Sequence, residues 1–234
     1  MKVNPRHPAI IEGRTIFTNS VIKSDKLMLK PGSNNRKLGF IITKGKYKGY
    51  PIFSLSLEER KTCPRDCIFW VNCYTNNMYL AQRYNHKDKS FYKILEENIK
   101  ELNNKYKGFI VRTHVSGDFF SVEYIKFWER MLNKYSGLNI FGYTAYKNGP
   151  RYREIQRLNN DYPNKFNVRT SGVNASFSTN STNNMEPFVL YKNGKKKQVK
   201  GVVCPEQTGK TKSCATCGLL CANRNVEQVL FIPH

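Results

Sequence analysis

The chain is short of negative charge. Seventeen Asp and Glu face thirty-nine Lys and Arg in 234 residues, a formal net charge of +22. That balance points to phosphate-bearing partners, nucleic acid or a nucleotide-like ligand, through counterion release. The richness in Lys, Asn, Ile and Tyr is also what AT-rich coding favours. No run of eighteen apolar residues exists, so a membrane span is not expected. The opening "MKVNPRHPAIIEGR" lacks the apolar stretch of a secretory signal. A cytoplasmic location is the expectation, the host cytosol if the protein is viral. No repeat of solenoid length and no domain-dividing linker is present. The oligomeric state leaves no mark on the sequence.

What is there begins with cysteine. All seven lie in two groups: Cys63, Cys67 and Cys73 within "TCPRDCIFWVNCY", and Cys204, Cys214, Cys217 and Cys221 within "CPEQTGKTKSCATCGLLC". Disulfides are rare in a cytosol and seven is an odd count, so metal ligation is the better reading. The second group has a Cys-x-x-Cys knuckle and four thiols, enough for a closed site holding zinc or a four-cysteine iron–sulfur cluster. The first group has three, which leaves one coordination position open. Pro64, Arg65, Asp66 and Asn72 make that stretch too polar for core. "QTGKTKS" mimics the end of a phosphate-binding loop but has Cys204 where the leading glycine is required.

Between the groups, strands and helices alternate. "GFIITKG" and "YPIFSLSL" read as strands, and a helix is predicted through "CYTNNMYLAQRY". The second predicted helix is "SFYKILEENIKELNNKY", with Ser90 as N-cap and Phe91, Leu95, Ile99 and Leu102 near one face. Then come strand "GFIVRTHV", helix "SVEYIKFWERMLNKY" capped by Ser121, strand "LNIFGYTAY", helix "GPRYREIQRLNND" and strand "KFNVRTSG". "PFVLYK" and "KGVVC" are further strands, with Lys195–Lys197 in a solvated turn between them. Such alternation predicts a parallel sheet. The expected architecture is α/β: an irregular extension over residues 1–38, a complete or partial (β/α) barrel over 39–200, and a cysteine-rich metal-binding segment over 201–234 packed on it. In such folds the site gathers at the carboxyl ends of the strands. The first cysteine group, His114–Asp118, Thr144 with Tyr146, Thr170 with Ser171, and Cys204 all follow strands. Within "HVSGDFF", Gly117 suggests a turn or close approach. Asp118 is a candidate base, nucleophile or amine-holding group, and His114 a weaker candidate acid or base.

"FSLSLEERKTCPRDCIFWVNCY", "HVSGDFFSVEYIKFW", "FGYTAY" and "CPEQTGKTKSCATCGLLC" resemble a group of phage and prophage proteins named after gene product eighty-eight of a mycobacteriophage. The resemblance covers roughly residues 36–234. It implies a phage or prophage origin and supplies no reaction. More distantly, the order of strand, three cysteines, helix and strand resembles radical S-adenosylmethionine enzymes. That resemblance implies a 4Fe-4S cluster at Cys63, Cys67 and Cys73 with S-adenosylmethionine on its open iron. It implies that Ser116, Gly117 and Asp118, with Thr144, bind the cofactor. The cysteine spacing and the Asp in place of Glu depart from that pattern. Two rivals stand beside it. One is a zinc-containing enzyme similar to tRNA-guanine transglycosylases, with Asp118 as nucleophile. The other is a non-catalytic, zinc-stapled nucleic-acid binder, with Trp70, Tyr143 and Tyr146 stacking bases.

Overall fold

The computed structural model describes residues 3–172, 178–181, 189–192, 195–198 and 201–232. Among the described residues the α-helices are α1 (Pro8–Glu12), α2 (Phe91–Lys105), α3 (Val122–Lys134), α4 (Gly149–Asp161) and α5 (Cys214–Cys217). The strands are β1 (Val21–Ile22), β2 (Lys30–Pro31), β3 (Ile52–Ser56), β4 (Arg83–Tyr84), β5 (Phe109–Ser116), β6 (Leu138–Thr144), β7 (Phe166–Ser171), β8 (Ser178–Ser181), β9 (Val189–Lys192), β10 (Lys195–Gln198), β11 (Gly201–Val203) and β12 (Gln228–Phe231).

Eight strands form one sheet in the order β11-β12-β8-β7-β6-β5-β3-β2. All its pairings are parallel except that of β2 with β3. The mixed α/β class therefore stands. Among the described residues β11 and β2 are edges that do not pair, so the sheet is open and no complete barrel forms.

Alternation along the strands splits the core in two. Phe53, Leu55, Phe109, Val111, Leu138, Ile140, Phe166 and Val168 face helices α2–α4, which bury Leu95, Ile99, Tyr124, Trp128, Ile155 and Leu158 against them. Ser121 caps α3 as predicted, its Oγ accepting from the Tyr124 amide at 3.0 Å. On the opposite face, Ile52, Ile110, Phe141 and Val229 lie under Leu38, Ile42 and Tyr47, together with Cys204, Cys214 and Cys221. Layers cover both faces of this largely parallel sheet, as such sheets require.

Several expectations need correcting. "GFIITKG" contributes only an isolated bridge, Ile41 to Pro51. The helix predicted over "CYTNNMYLAQRY" is a single tight turn, Tyr74–Asn77, followed by β4. Ser90 makes no capping hydrogen bond; Asp88 bonds its amide instead. Lys195–Lys197 belong to β10, which pairs with β9, and Pro187 and Phe188 lie outside the described residues. No helix among the described residues is long and apolar enough to cross a membrane.

Candidate functional site

The strand order sets the site. β3, β5, β6 and β7 are sequential neighbours, so their carboxyl ends stand side by side. The loop carrying Cys63, Cys67 and Cys73 leaves β3 and lies across them. Tyr146, beyond β6, donates from its hydroxyl to the Thr62 carbonyl at 3.3 Å. A Cβ added to Gly172, beyond β7, would lie 2.8 Å from Cδ1 of Ile68. The loop thus spans at least three strand ends.

Thr62 joins it to β5. Its Oγ1 accepts from the Asp118 amide at 3.0 Å and donates to the Glu58 carbonyl at 2.8 Å. Gly117 turns between them at φ +85°, and a Cβ there would fall 2.6 Å from Thr62 Oγ1. Only glycine meets both demands comfortably.

These groups also act on one another electrostatically. The Cys63 thiol is pushed well above its ordinary value by burial, then by Asp118, Cys73 and Cys67. Cys67 is pushed up to about 11, mainly by burial. Burial also raises Cys73, against a hydrogen bond from Thr75. All three are neutral thiols in the free protein at neutral pH, so a metal ion would have to release their protons. The Phe69 amide is directed at the Cys67 sulfur and the Thr75 amide at that of Cys73. Donors aimed at sulfur favour the thiolate form.

Asp118 is 3% exposed. Its Oδ1 accepts from the Phe119 amide and its Oδ2 from the Ala145 amide, each at 2.7 Å. Burial raises its pKa to about 6, against these bonds and one from Thr144. It therefore locks the end of β5 to the end of β6, and it is poorly disposed to act as a nucleophile. Thr144 is buried and accepts from the Tyr146 amide at 3.1 Å. Ser116 donates to Glu59 Oε2 at 3.1 Å.

His114 stands apart. Its Nε2 pairs with the Tyr124 hydroxyl at 2.9 Å, and Phe119 packs edge-on against its ring. Burial lowers its pKa to about 3. It is a neutral histidine inside the aromatic core, with no described contact to the cysteines.

The sequence reading missed the buried ionic hub beneath the loop. Glu59 accepts from Arg83 at 2.6 Å and from Thr15 at 2.7 Å, in addition to Ser116. Arg60, at φ +65°, donates to the Trp70 carbonyl, the Arg14 carbonyl and Asn76. Arg83 also reaches the carbonyls of Thr75, Met78 and Ala81. These residues hold the cysteine loop from inside. From outside, Trp70 donates to the Ile10 carbonyl and Arg65 to that of Ile11, tying the loop to α1.

The expected base-stacking residues are occupied internally. Trp70 lies under Arg65, Tyr143 under Arg112, and Tyr146 beside Arg151. Among the described residues the exposed Phe, Tyr and Trp rings are Phe69, Tyr74 and Tyr79, flanked by exposed Ile68 and Leu80, all from the cysteine loop and its continuation. Tyr74 is half-exposed as a residue; burial of its hydroxyl, and then the nearby Arg112, Cys73 and Cys63, act on that group and leave it pushed up to about 12.

The second cysteine group lies elsewhere, on the sheet face opposite the helices. Cys204 follows the edge strand β11, which runs parallel to β12, β8 and β7, so it ends at the same carboxyl edge of the sheet but three strands beyond β7. Together, Cys204, Cys214, Cys217 and Cys221 line one small cavity with Pro205, Glu206, Leu219 and Leu220. Ser213 and Thr216 form a reciprocal cap at the start of the α5 knuckle. Among the described residues no three His, Cys, Asp or Glu side chains already stand in ligating geometry.

Fold and site together define an α/β protein with an open, largely parallel sheet, a cysteine loop across its carboxyl edge and a separate four-cysteine segment on one face. The chain belongs to the Gene product 88 family, whose model matches residues 26–224. It is similar to the Gene 88 protein of Mycobacterium phage D29, at 26% identity over 156 residues. That match covers 59% of this chain and 60% of the relative, so the chain spans less than two thirds of that protein's length. No solved structure matches.

Proposed function

We propose that this chain is a phage-type iron–sulfur metalloenzyme, resembling radical S-adenosylmethionine enzymes, that acts on nucleic acid or a nucleotide-like substrate. One observation carries the reading. The Cys63–Cys67–Cys73 loop and the Ser116–Gly117–Asp118 turn meet at the carboxyl ends of adjacent parallel strands, joined by the Thr62–Asp118 bond. The open, largely parallel sheet is read as a partial (β/α) barrel.

Cys63, Cys67 and Cys73 would hold a four-iron cluster with one iron open. Such a group supplies one-electron cleavage of S-adenosylmethionine; the protein binds, orients and excludes water. Asp118 serves as a positioning residue, because both its oxygens are engaged by main-chain amides. The Ser116 carbonyl already accepts from the Leu57 amide and its hydroxyl donates to Glu59, so in this reading the Gly117 main chain is what meets the cofactor. The C-terminal segment is a second metal site, for zinc or another cluster. The net charge of +22 and the exposed rings beside the loop support nucleic acid as the substrate class.

The transglycosylase alternative needs a free nucleophilic carboxylate, which Asp118 does not offer. A non-catalytic zinc-stapled binder draws on the same exposed rings. Anaerobic purification separates them. The expected product is brown, carries about four irons and matching sulfide at the first group, and forms 5′-deoxyadenosine from S-adenosylmethionine under reduction. A colourless protein that holds only zinc and cleaves nothing after reconstitution overturns the proposal.

A further inference from the structure

Arg112 stands at the centre of β5, on the sheet face that carries the second cysteine group. It is 8% exposed, and its Nε–H has no hydrogen-bond partner. Its guanidinium lies over the Tyr143 ring, 5.5 Å from the centroid. The groups acting on it are the Tyr74 and Tyr143 hydroxyls and the thiols of Cys214 and Cys221. Among the described residues no carboxylate reaches ion-pair distance of Arg112, although Glu59 serves Arg83 and Arg60 nearby. A buried cation needs a counter-charge, because desolvation costs several kcal/mol per ion. Neutral thiols and phenols do not supply one. Thiolates do.

From this we infer that Cys204, Cys214, Cys217 and Cys221 together hold one tetrahedral divalent ion of the zinc type, and that Arg112 is the buried counter-charge of the resulting tetrathiolate. The inference deepens the reading of the C-terminal segment as a metal site and is independent of any reaction at the first group.

Ligand spacing favours one ion over a cluster. Cys214 and Cys217 form the Cys-x-x-Cys knuckle of structural zinc sites, and with Cys204 and Cys221 they line one cavity. With Zn–S bonds of about 2.3 Å, tetrahedral sulfurs close to roughly 3.8 Å of one another. Among the described residues no three His, Cys, Asp or Glu side chains already stand in ligating geometry, so metal binding has to draw the four sulfurs to that spacing.

Charge follows the same logic. Four thiolates and one divalent ion sum to −2. Arg112 offsets one unit. Arg169, fully buried, sits beside the same site, with its Nε donating to the Cys221 carbonyl at 2.6 Å. Two neighbouring groups already address the sulfurs. The Tyr143 hydroxyl lies 2.8 Å from the Cys221 sulfur, and the Leu220 amide is directed at that of Cys217. Donors at ligating sulfur are the outer shell such sites use.

The test uses the full chain with Cys63, Cys67 and Cys73 replaced by Ser, so that only the second group can bind metal. One zinc per chain is expected. Cobalt in its place should give the intense ligand-field and thiolate charge-transfer bands of a tetrahedral four-sulfur site. Cys217→Ser should abolish both. Arg112→Gln should weaken zinc about ten-fold or more in chelator competition, whereas Arg112→Lys should retain most of the affinity. Iron with sulfide at this group, or no metal at all, overturns the single-ion site. Equal affinity in Arg112→Gln and wild type overturns the counter-charge. Should Arg112→Gln not fold, the shift of zinc affinity with salt in Arg112→Lys replaces it: a desolvated pair is nearly insensitive to salt, and a strong dependence counts against the assignment. These results leave the radical reading untouched, since the first group is absent throughout.

Discussion

The Asp118 amide donates to the Thr62 hydroxyl, 3.0 Å away, and Thr62 directly precedes Cys63. Through this one bond the turn after β5 fixes the start of the cysteine loop after β3. Thr62→Val keeps the shape and removes the acceptor, leaving a buried amide without a partner. A loss of about 1–3 kcal/mol in urea unfolding is expected. Cys63 in the metal-free protein should also become more reactive toward a thiol reagent. Unchanged stability and unchanged thiol reactivity would show that the bond does not hold the loop.

The second prediction concerns the hub. Glu59 and Arg83 are both fully buried and meet at 2.6 Å. Glu59→Ala leaves Arg83 and Arg60 without their carboxylate, and a loss of about 3–5 kcal/mol is expected. Limited proteolysis should then cut first within residues 61–82, because the hub's bonds end in that loop. A uniform loosening with no preference for the loop would contradict that role.

Parts of this arrangement were legible in the sequence and parts were not. The run from β5 to β7 was readable because each helix repeats its apolar residues at helical spacing and Ser121 announces its own cap. The grouping of the first cysteines with Ser116–Asp118 followed from strand order alone. The stretch 73–84 misled, because only Met78, Leu80, Ala81, Gln82 and Arg83 are strong helix formers and its Cys, Thr, Asn and Tyr residues are not. Arg83 takes up the carbonyls of Thr75, Met78 and Ala81, which a helix would have satisfied internally. Nothing in the local sequence marks Glu59, Arg60 and Arg83 for burial. Their partners lie many residues away, and no local pattern reports which charge will be buried. Arg112 was hidden for the same reason, inside a strand that reads as simple core.

The third prediction is a pH dependence with two opposed parts. Asp118 titrates near 6 when folded, against about 3.9 in an unfolded chain. Within that window the folded chain holds the extra proton, so Asp118 lowers stability as pH rises. His114 titrates near 3 when folded, against about 6.5 unfolded. There the unfolded chain holds the extra proton, so His114 raises stability as pH rises. Between pH 4 and 6 the two slopes oppose, each limited to about 1.4 kcal/mol per pH unit. Relative to wild type, Asp118→Asn should make melting temperature climb more steeply over this range. His114→Gln should make it climb less or fall. Variants that keep the wild-type slope would refute the assignment.

The last prediction addresses the substrate class. Phe69, Tyr74 and Tyr79 are 42%, 46% and 68% exposed, a heavy concentration of bare aromatic surface on one loop. Lys61 and Arg65 are exposed on the same loop. Rings of this kind stack on bases without sequence preference, at about 1–3 kcal/mol per base, while lysine and arginine neutralise phosphates. A fluorescent single-stranded oligonucleotide should therefore bind the full chain in an anisotropy titration, and binding should weaken steadily with added salt. Phe69→Ser with Tyr79→Ser should reduce affinity at least five-fold and leave the salt dependence in place, since the phosphate contacts remain. Lys61→Gln with Arg65→Gln should instead flatten the salt dependence. Arg65 also braces Trp70 and the Ile11 carbonyl, so the melting temperature of that variant is measured alongside to separate lost charge from a loosened loop. If the aromatic pair changes nothing while the basic pair abolishes binding, the oligonucleotide is held by charge alone and the rings face something other than bases.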